Sequence, residues 1–232
     1  MDIAALGTAN NFSAGDITSV DVNTDRDLVA IAVQNATYTE NGAIVTLNYD
    51  GKFVSKYDAG VQPDMVTFSP NGNLILSANE GEPRDGYGEG TTDPMGSVTV
   101  VDLSKDSVKT ITFETVSRET ALADGVLLKK DTAPSVDLEP EFIAVSSDSK
   151  TAYVTLQENN AVAALDLTSG TWKYVKGLGF KDHSAEGNAL DLDVDNEIDI
   201  RSENIYGVYM PDGIALVTIG GQDYPVSYTH LR

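Results

Sequence analysis

The hydrophobic pattern of this chain is that of strands. Short apolar stretches rich in β-branched residues alternate with clusters of Gly, Pro, Asn, Asp and Ser every eight to twelve positions. That spacing belongs to an all-β fold of many short strands, not to amphipathic helices. In the middle of the chain "MVTFS" (65–69) leads through "PNG" into "NLILSAN" (73–79), and after a polar loop come "SVTVVDL" (97–103) and "SVKTITF" (107–113). Four such strands in antiparallel order make one sheet. The order returns in "FIAVS" (142–146), "TAYVTLQ" (151–157), "AVAALDL" (161–167) and "TWKYVKGL" (171–178). It also fits the N-terminal "ITSVDV", "DLVAIAVQ", "AIVTLNYDG" and "KFVSKYDAG". The third strand ends alike each time, in "VTVVDLSKD", "VAALDLTSG" and "IVTLNYDGK", where an apolar run meets an Asp or Asn and a tight turn.

Self-similarity of this kind is the mark of a repeat architecture. The pattern predicts a β-propeller of four-stranded antiparallel blades, incomplete, with blades at about 16–60, 61–113 and 138–178 and the start of a fourth at 209–226. Pro63-Asp64, Pro140-Glu141 and Pro211-Asp212 fall at matching places in the repeats. Pro at the first residue of a strand is ordinary strand-entry punctuation, and that is the plain account of these pairs. The repeats are longer than a four-stranded blade of roughly 40 to 50 residues needs, so two long inter-blade loops are expected at about 114–137 and 179–208. The fourth unit breaks off in its second strand. Residues 227–232, "SYTHLR", match no earlier strand ending and are expected to be a non-native tail on a partial propeller of residues 1–226.

Composition narrows the function. Against 15 Lys and Arg stand 36 Asp and Glu, a formal net charge of -21, which disfavours nucleic acid and anionic lipid and favours cations as partners. The absence of cysteine excludes disulfides, thiolate metal sites and Cys nucleophiles. No apolar run reaches the length of a membrane span, and the first residues carry neither a basic nor an apolar leader region.

The candidate chemistry is acidic. "SANEGEPRDGYGEGTTDP" places Glu80, Glu82, Asp85, Glu89 and Asp93 in a Gly-rich loop between the second and third strands of the second blade. "LQENNA" puts Gln157, Glu158 and Asn159 at the same point of the third, with Glu80 and Glu158 read as matching positions. If blades superpose, these groups and Glu141 gather near one mouth of the channel as oxygen donors for a hard cation such as calcium; the other account is acids bonding their own turns. Arg84 is the one base in the loop, suited to a ligand carboxylate or phosphate, although a salt bridge to a neighbouring acid is its expected role. "ALDLDVDNEID" supplies Asp191, Asp193, Asp195 and Asp199 at calcium-loop spacing. Asn196 stands where an EF-type loop has Gly, Glu203 comes one residue late, and no helices flank it, which leaves a looser Asp-rich loop or a solvated turn. Asp182 and His183 in "GFKDHSAEGNALD" have no HxxxH or HExxH partner, and no GxSxG elbow is present.

"PDMVTFSPNGNLILSANEGEPRDGYGEGTTDPMGSVTVVDL", "DLEPEFIAVSSDSKTAYVTLQENNAVAALDL" and "GFKDHSAEGNALDLDVDNEIDI" with "YGVYMPDGIA" together resemble the choice-of-anchor I family, and "YVTLQENNAV" resembles the YVTN-type repeats. The likeness spans about residues 16–226. It implies a bacterial exported propeller, related to a mesenchyme-specific cell-surface glycoprotein, held at the cell surface through a variable C-terminal anchor. It also gives "GFKDH", hence Asp182 and His183, a place in a shared motif. Members stand beside alkaline phosphatase and nucleotidase-like enzymes, while no catalytic residues are implied for the propeller. The expectation is therefore a non-catalytic extracellular or cell-surface binding or scaffold domain, stabilised by calcium, with no nucleic-acid partner and no membrane insertion. The rival is a metal-dependent phosphoesterase using the acidic channel mouth, and a third reading is a sugar or peptide sensor stacking its ligand on Tyr87 and Trp172.

Overall fold

The computed structural model, in which Gly7, residues 11–86 and residues 90–229 are described, contains three four-stranded antiparallel sheets and a final hairpin. The first sheet is β1 (Ala14–Asn23), β2 (Leu28–Asn35), β3 (Asn41–Asn48) and β4 (Phe53–Val61). The second is β5 (Pro63–Phe68), β6 (Leu74–Asn79), β7 (Ser97–Asp102) and β8 (Ser107–Thr112). The third is β9 (Pro140–Val145), β10 (Thr151–Leu156), β11 (Ala161–Asp166) and β12 (Thr171–Gly177). Two short strands, β13 (Lys181–Asp182) and β14 (Tyr206–Gly207), pair inside the second long connection, and the hairpin is β15 (Pro211–Ile219) with β16 (Gln222–Thr229). The expected all-β fold of four-stranded antiparallel sheets is present. Ser227 and Thr229, assigned from sequence to the tail, sit in β16 opposite Ile214 and Pro211; residues 230–232, and with them His230, lie outside the described residues.

The turn words that repeat in the sequence perform one job each. In the tight turn after the first strand, Ser69 and Ser146 accept through Oγ from the backbone of Leu74 (3.0 Å) and Thr151 (2.9 Å). After the third strand Asp102 and Asp166 accept from the backbone of Ser104 and Thr168, and Asn48 accepts from Lys52. These are side-chain caps on a hairpin, the reason that Asp, Asn and Ser recur there. Gly72 (φ +67°) needs its glycine twice over: the backbone is left-handed, and a Cβ would meet Asn23 Nδ2 at 2.7 Å.

Apolar side chains on facing sheets make the core. Ala30, Ala32 and Ile44 pack against Val66, Ile75 and Val101 between the first two sheets. Leu76, Val98, Ile111 and Phe113 pack against Ile143, Val154, Leu156 and Leu165 between the second and third. Phe113 also stacks on Trp172 at 4.2 Å between centroids, and Trp172 Nε1 donates to Thr112 O (2.9 Å). Trp172 is thus the pin between the outer strands of two blades, not an open stacking platform; Tyr87 lies outside the described residues.

The first strands of successive sheets pack on one another, β1 on β5, β5 on β9 and β9 on β15. Thr18 Oγ1 donates to Pro63 O (2.7 Å), and Asp21 accepts from Phe68 N (2.7 Å) across the first of these joints. The strand pattern did not announce the two small helices in the first long loop. Helix α1 (Arg118–Ala123) is capped by Ser117, whose side chain accepts from Thr120 N, and α2 (Pro134–Asp137) starts on Pro134. Arg118 binds Lys129 O and Thr132 O and holds that loop together.

Candidate functional site

Because β5, β9 and β15 converge, whatever occupies the second residue of each is brought to a common place. Those residues are Asp64, Glu141 and Asp212, each behind its proline. Glu80 joins them from the residue just past β6. The carboxylate oxygens of Asp64, Glu80 and Glu141 lie within 4.8 Å of one another, the one such set of three acids among the described residues.

Several contacts fix this arrangement. Asn79, fully buried, donates through Nδ2 to Ser97 O (3.1 Å), Ser97 Oγ (3.2 Å) and Thr99 Oγ1 (3.0 Å), and accepts from Ser77 Oγ (2.7 Å). That network locks the end of β6 and so aims Glu80. Gln62, buried and left-handed (φ 53°), receives Glu80 N on its carbonyl, donates from Nε2 to Glu82 O (2.8 Å) and Tyr38 O (3.2 Å), and accepts Glu82 N on Oε1 (3.0 Å). A Cβ on Gly96 would lie 1.9 Å from Leu138 O and 3.1 Å from Glu80 O, so the backbone can pass there only as glycine.

The electrostatics follow from putting acids together under partial cover. Burial, the hydrogen bond with Glu141 and the fields of Asp64, Glu141 and Glu82 push Glu80 up to about 10. The pair thus favours sharing one proton, with Glu80 the more strongly raised of the two. Burial raises Glu141 also, with Asp64, Glu158 and Asp212 adding, while the bond from Glu80 works the other way. Asp64 is raised by burial and by Asp212, against which Arg84 pulls it down. Arg84 makes no salt bridge among the described residues; its guanidinium donates to Gln34 Oε1 (2.5 Å) and its charge leans on Asp64.

Sequence reasoning named Glu80 and Glu141 but passed over Asp64 and Asp212, whose signal was the repeated Pro-acid pair. The matching of Glu80 with Glu158 is off by one. Asn79 faces Pro63 and Leu156 faces Pro140, so Glu80 corresponds to Gln157, and Glu158 to Gly81. Glu158 instead sits at an exposed rim, raised by desolvation and by Glu82. Glu82 is exposed, and Asp85 accepts from Tyr38 Oη (2.6 Å). Glu89 lies outside the described residues.

Asn159 is not a ligand donor held ready. Its Nδ2 donates to Asp137 O (2.7 Å) and Leu127 O (3.0 Å), and its Oδ1 accepts Glu139 N (3.2 Å). Its neighbour Asn160 does the same for the second loop, donating to Gly179 O and accepting from Tyr209 N and Met210 N. Asp182 bonds Ser184 N and Oγ, and His183, 8 % exposed, places Nδ1 2.7 Å from Asn188 O with Nε2 against Gly207. Both tie down a loop. In the Asp-rich stretch a bridge between Leu190 and Arg201 closes residues 191–200 into a loop, with Asn196 left-handed (φ 67°). Asp191 accepts from the backbone of Asp193 and Asp199, Asp195 from that of Glu197, and Arg201 pairs with Asp193, Asp199 and Glu203. The loop thus carries its own cation, and its four aspartates are not brought into one ligand set.

Sequential four-stranded meanders, with cores between sheets and first strands meeting at an acid-lined centre, define a β-propeller domain. The family model of the choice-of-anchor I domain matches residues 2–227, and the chain belongs to that family. No match was found among curated proteins. Among solved structures it is similar to hydrazine synthase of Kuenenia stuttgartiensis, at 15 % identity over 64 % of this chain and 39 % of that one (TM-score 0.45). It is also similar to a eukaryotic initiation factor, at 16 % over 70 % and 32 % (0.43), and to a nidogen/laminin complex, at 12 % over 70 % and 47 % (0.42). The chain spans less than half the length of each. No helix among the described residues is long and apolar enough to cross a membrane.

Proposed function

We propose that this propeller works outside the cell as a non-catalytic binding or scaffold domain, and that the acids at its centre hold a calcium ion that fixes one blade to the next. One observation carries the cation: Asp64 and Glu80 from the second blade and Glu141 from the third present oxygens within 4.8 Å of one another. Only oxygen donors are offered, which suits a hard cation, and calcium accepts the irregular geometry that three carboxylates and waters provide. In the absence of an ion a proton held by Glu80 keeps the acids together; calcium would displace it.

A hydrolytic role has less behind it, because the imidazole and the guanidinium that could serve a phosphate ester are both engaged elsewhere. His183 is buried in the second loop, and Arg84 is bonded to Gln34.

Thermal unfolding against calcium tests the proposal. An ion at one hundred times its dissociation constant stabilises by about 2.7 kcal/mol, which for a domain of this size raises the melting temperature by roughly 5 °C or more. The Glu80→Gln/Glu141→Gln variant should show a clearly smaller rise. A rise undiminished in the variant would place the ion elsewhere, and no rise in about 10 mM calcium would end the proposal.

A further inference from the structure

A second group of acids lies off the axis, beneath the first long loop. Leu127, Leu128, Lys129, Asp137, Glu139, Glu158 and Asn159 line a cavity of about 250 Å³. Glu139 is only 5 % exposed, yet no hydrogen bond or ion pair to its carboxylate is found among the described residues, although the residue borders open space. Lys129, the cation on this wall, pairs with Asp93 Oδ2 at 2.9 Å, and the other oxygen of that carboxylate, Oδ1, is buried with no hydrogen-bond partner. Asp137 spends one oxygen on Lys129 N (2.7 Å).

A carboxylate on so buried a residue, with no partner, is costly unless it is neutralised or paired. The walls say what could pair it. They hold no imidazole or thiolate, no aromatic face for an organic ammonium, and two leucines as the apolar part. The space exceeds that of a bare ion and leaves room for the waters that a hard cation keeps when the protein supplies few ligands.

We propose that this cavity is a second divalent-cation site, separate from the central one, with Glu139 and Glu158 as its carboxylate ligands and retained waters filling the remaining positions. Bound there, the ion ties the loop at Leu127–Lys129 to the turn after β10.

Calcium binding by calorimetry on the full chain, at pH 7.5, decides the matter. The wild type should bind two ions, Glu139→Gln/Glu158→Gln one, and Glu80→Gln/Glu141→Gln one. If the Glu139/Glu158 variant binds as many ions as the wild type, with unchanged affinities, the second site does not exist. If that variant loses an ion while the Glu80/Glu141 variant loses none, the second site stands and the central one falls. Glu158 is exposed, so Glu158→Gln alone will fold; it should weaken one of the two sites at least tenfold, and unchanged affinity at both would again overturn the site.

Discussion

The proton on Glu80 makes this protein's stability depend on pH in an uncommon direction. A solvated glutamate titrates near 4.5, whereas the folded protein holds Glu80 protonated up to about 10. The folded state therefore binds the proton more tightly than the unfolded chain does. The resulting stabilisation is fully present below pH 4.5 and is lost progressively as pH rises towards 10. Between pH 5 and pH 8 the unfolded chain is ionised at this position and the folded one is not. At about 1.4 kcal/mol per pH unit, the ion-free protein should lose about 4 kcal/mol over that range through Glu80. Glu80→Gln removes the titration but keeps a donor for Glu141, since an amide N–H replaces the carboxyl O–H. Urea unfolding in chelator at pH 5, 6, 7 and 8 should show the wild type falling and the variant falling much less. The two curves should diverge by several kcal/mol at pH 8, with the variant the more stable. Parallel curves would show that Glu80 ionises normally and that the acids are not clustered as described. Calcium should lift the wild-type curve more at pH 8 than at pH 5, because the proton it has to displace is held less tightly as pH rises.

Gly96→Ala should destabilise the fold by about 2 kcal/mol, because its Cβ would strike Leu138 O; calcium affinity should fall with it, and an unchanged melting temperature would contradict the close approach. Trp172→Ala should cost about 3 kcal/mol and Trp172→Phe about 1 kcal/mol, measured by denaturant midpoint, and equal losses would mean that the hydrogen bond to Thr112 O outweighs the stack. Arg201→Gln should speed proteolysis within residues 191–200 and move the melting temperature by no more than about 2 °C, since these ion pairs are exposed. Asp191→Asn/Asp193→Asn should leave the number of bound calcium ions unchanged by calorimetry; the loss of one would restore the Asp-rich loop as a metal site.

The blades could be read from the chain because their signals are local. Asp102, Asp166 and Asn48 cap the same turn through the same bond, so the same residues reappear in the sequence at the same point. The centre was harder to see, since Asp64, Glu141 and Asp212 mean nothing singly. Each sits behind a proline that has its own sufficient reason to begin a strand, and only the packing of β5 on β9 and β9 on β15 turns three dipeptides into a cluster. Pairing Glu80 with Glu158 failed for a related reason, because the two loops differ in length and only sheet register shows which residue follows the strand. The Asp-rich loop stayed ambiguous in the sequence because its closing pair, Leu190 with Arg201, belongs to no repeat. Glu139 was invisible: one acid among many until burial singles it out.

Asp64 and Glu141 lie in neighbouring repeats far apart along the chain, and this bears on how the array unfolds. Repeat proteins tend to lose their units one at a time, since each contacts only its neighbours. An ion bound across two blades exists only while both are folded and docked, so its binding energy belongs to neither repeat alone. Calcium should therefore sharpen unfolding as well as delay it, merging what would be separate steps for the second and third blades into one.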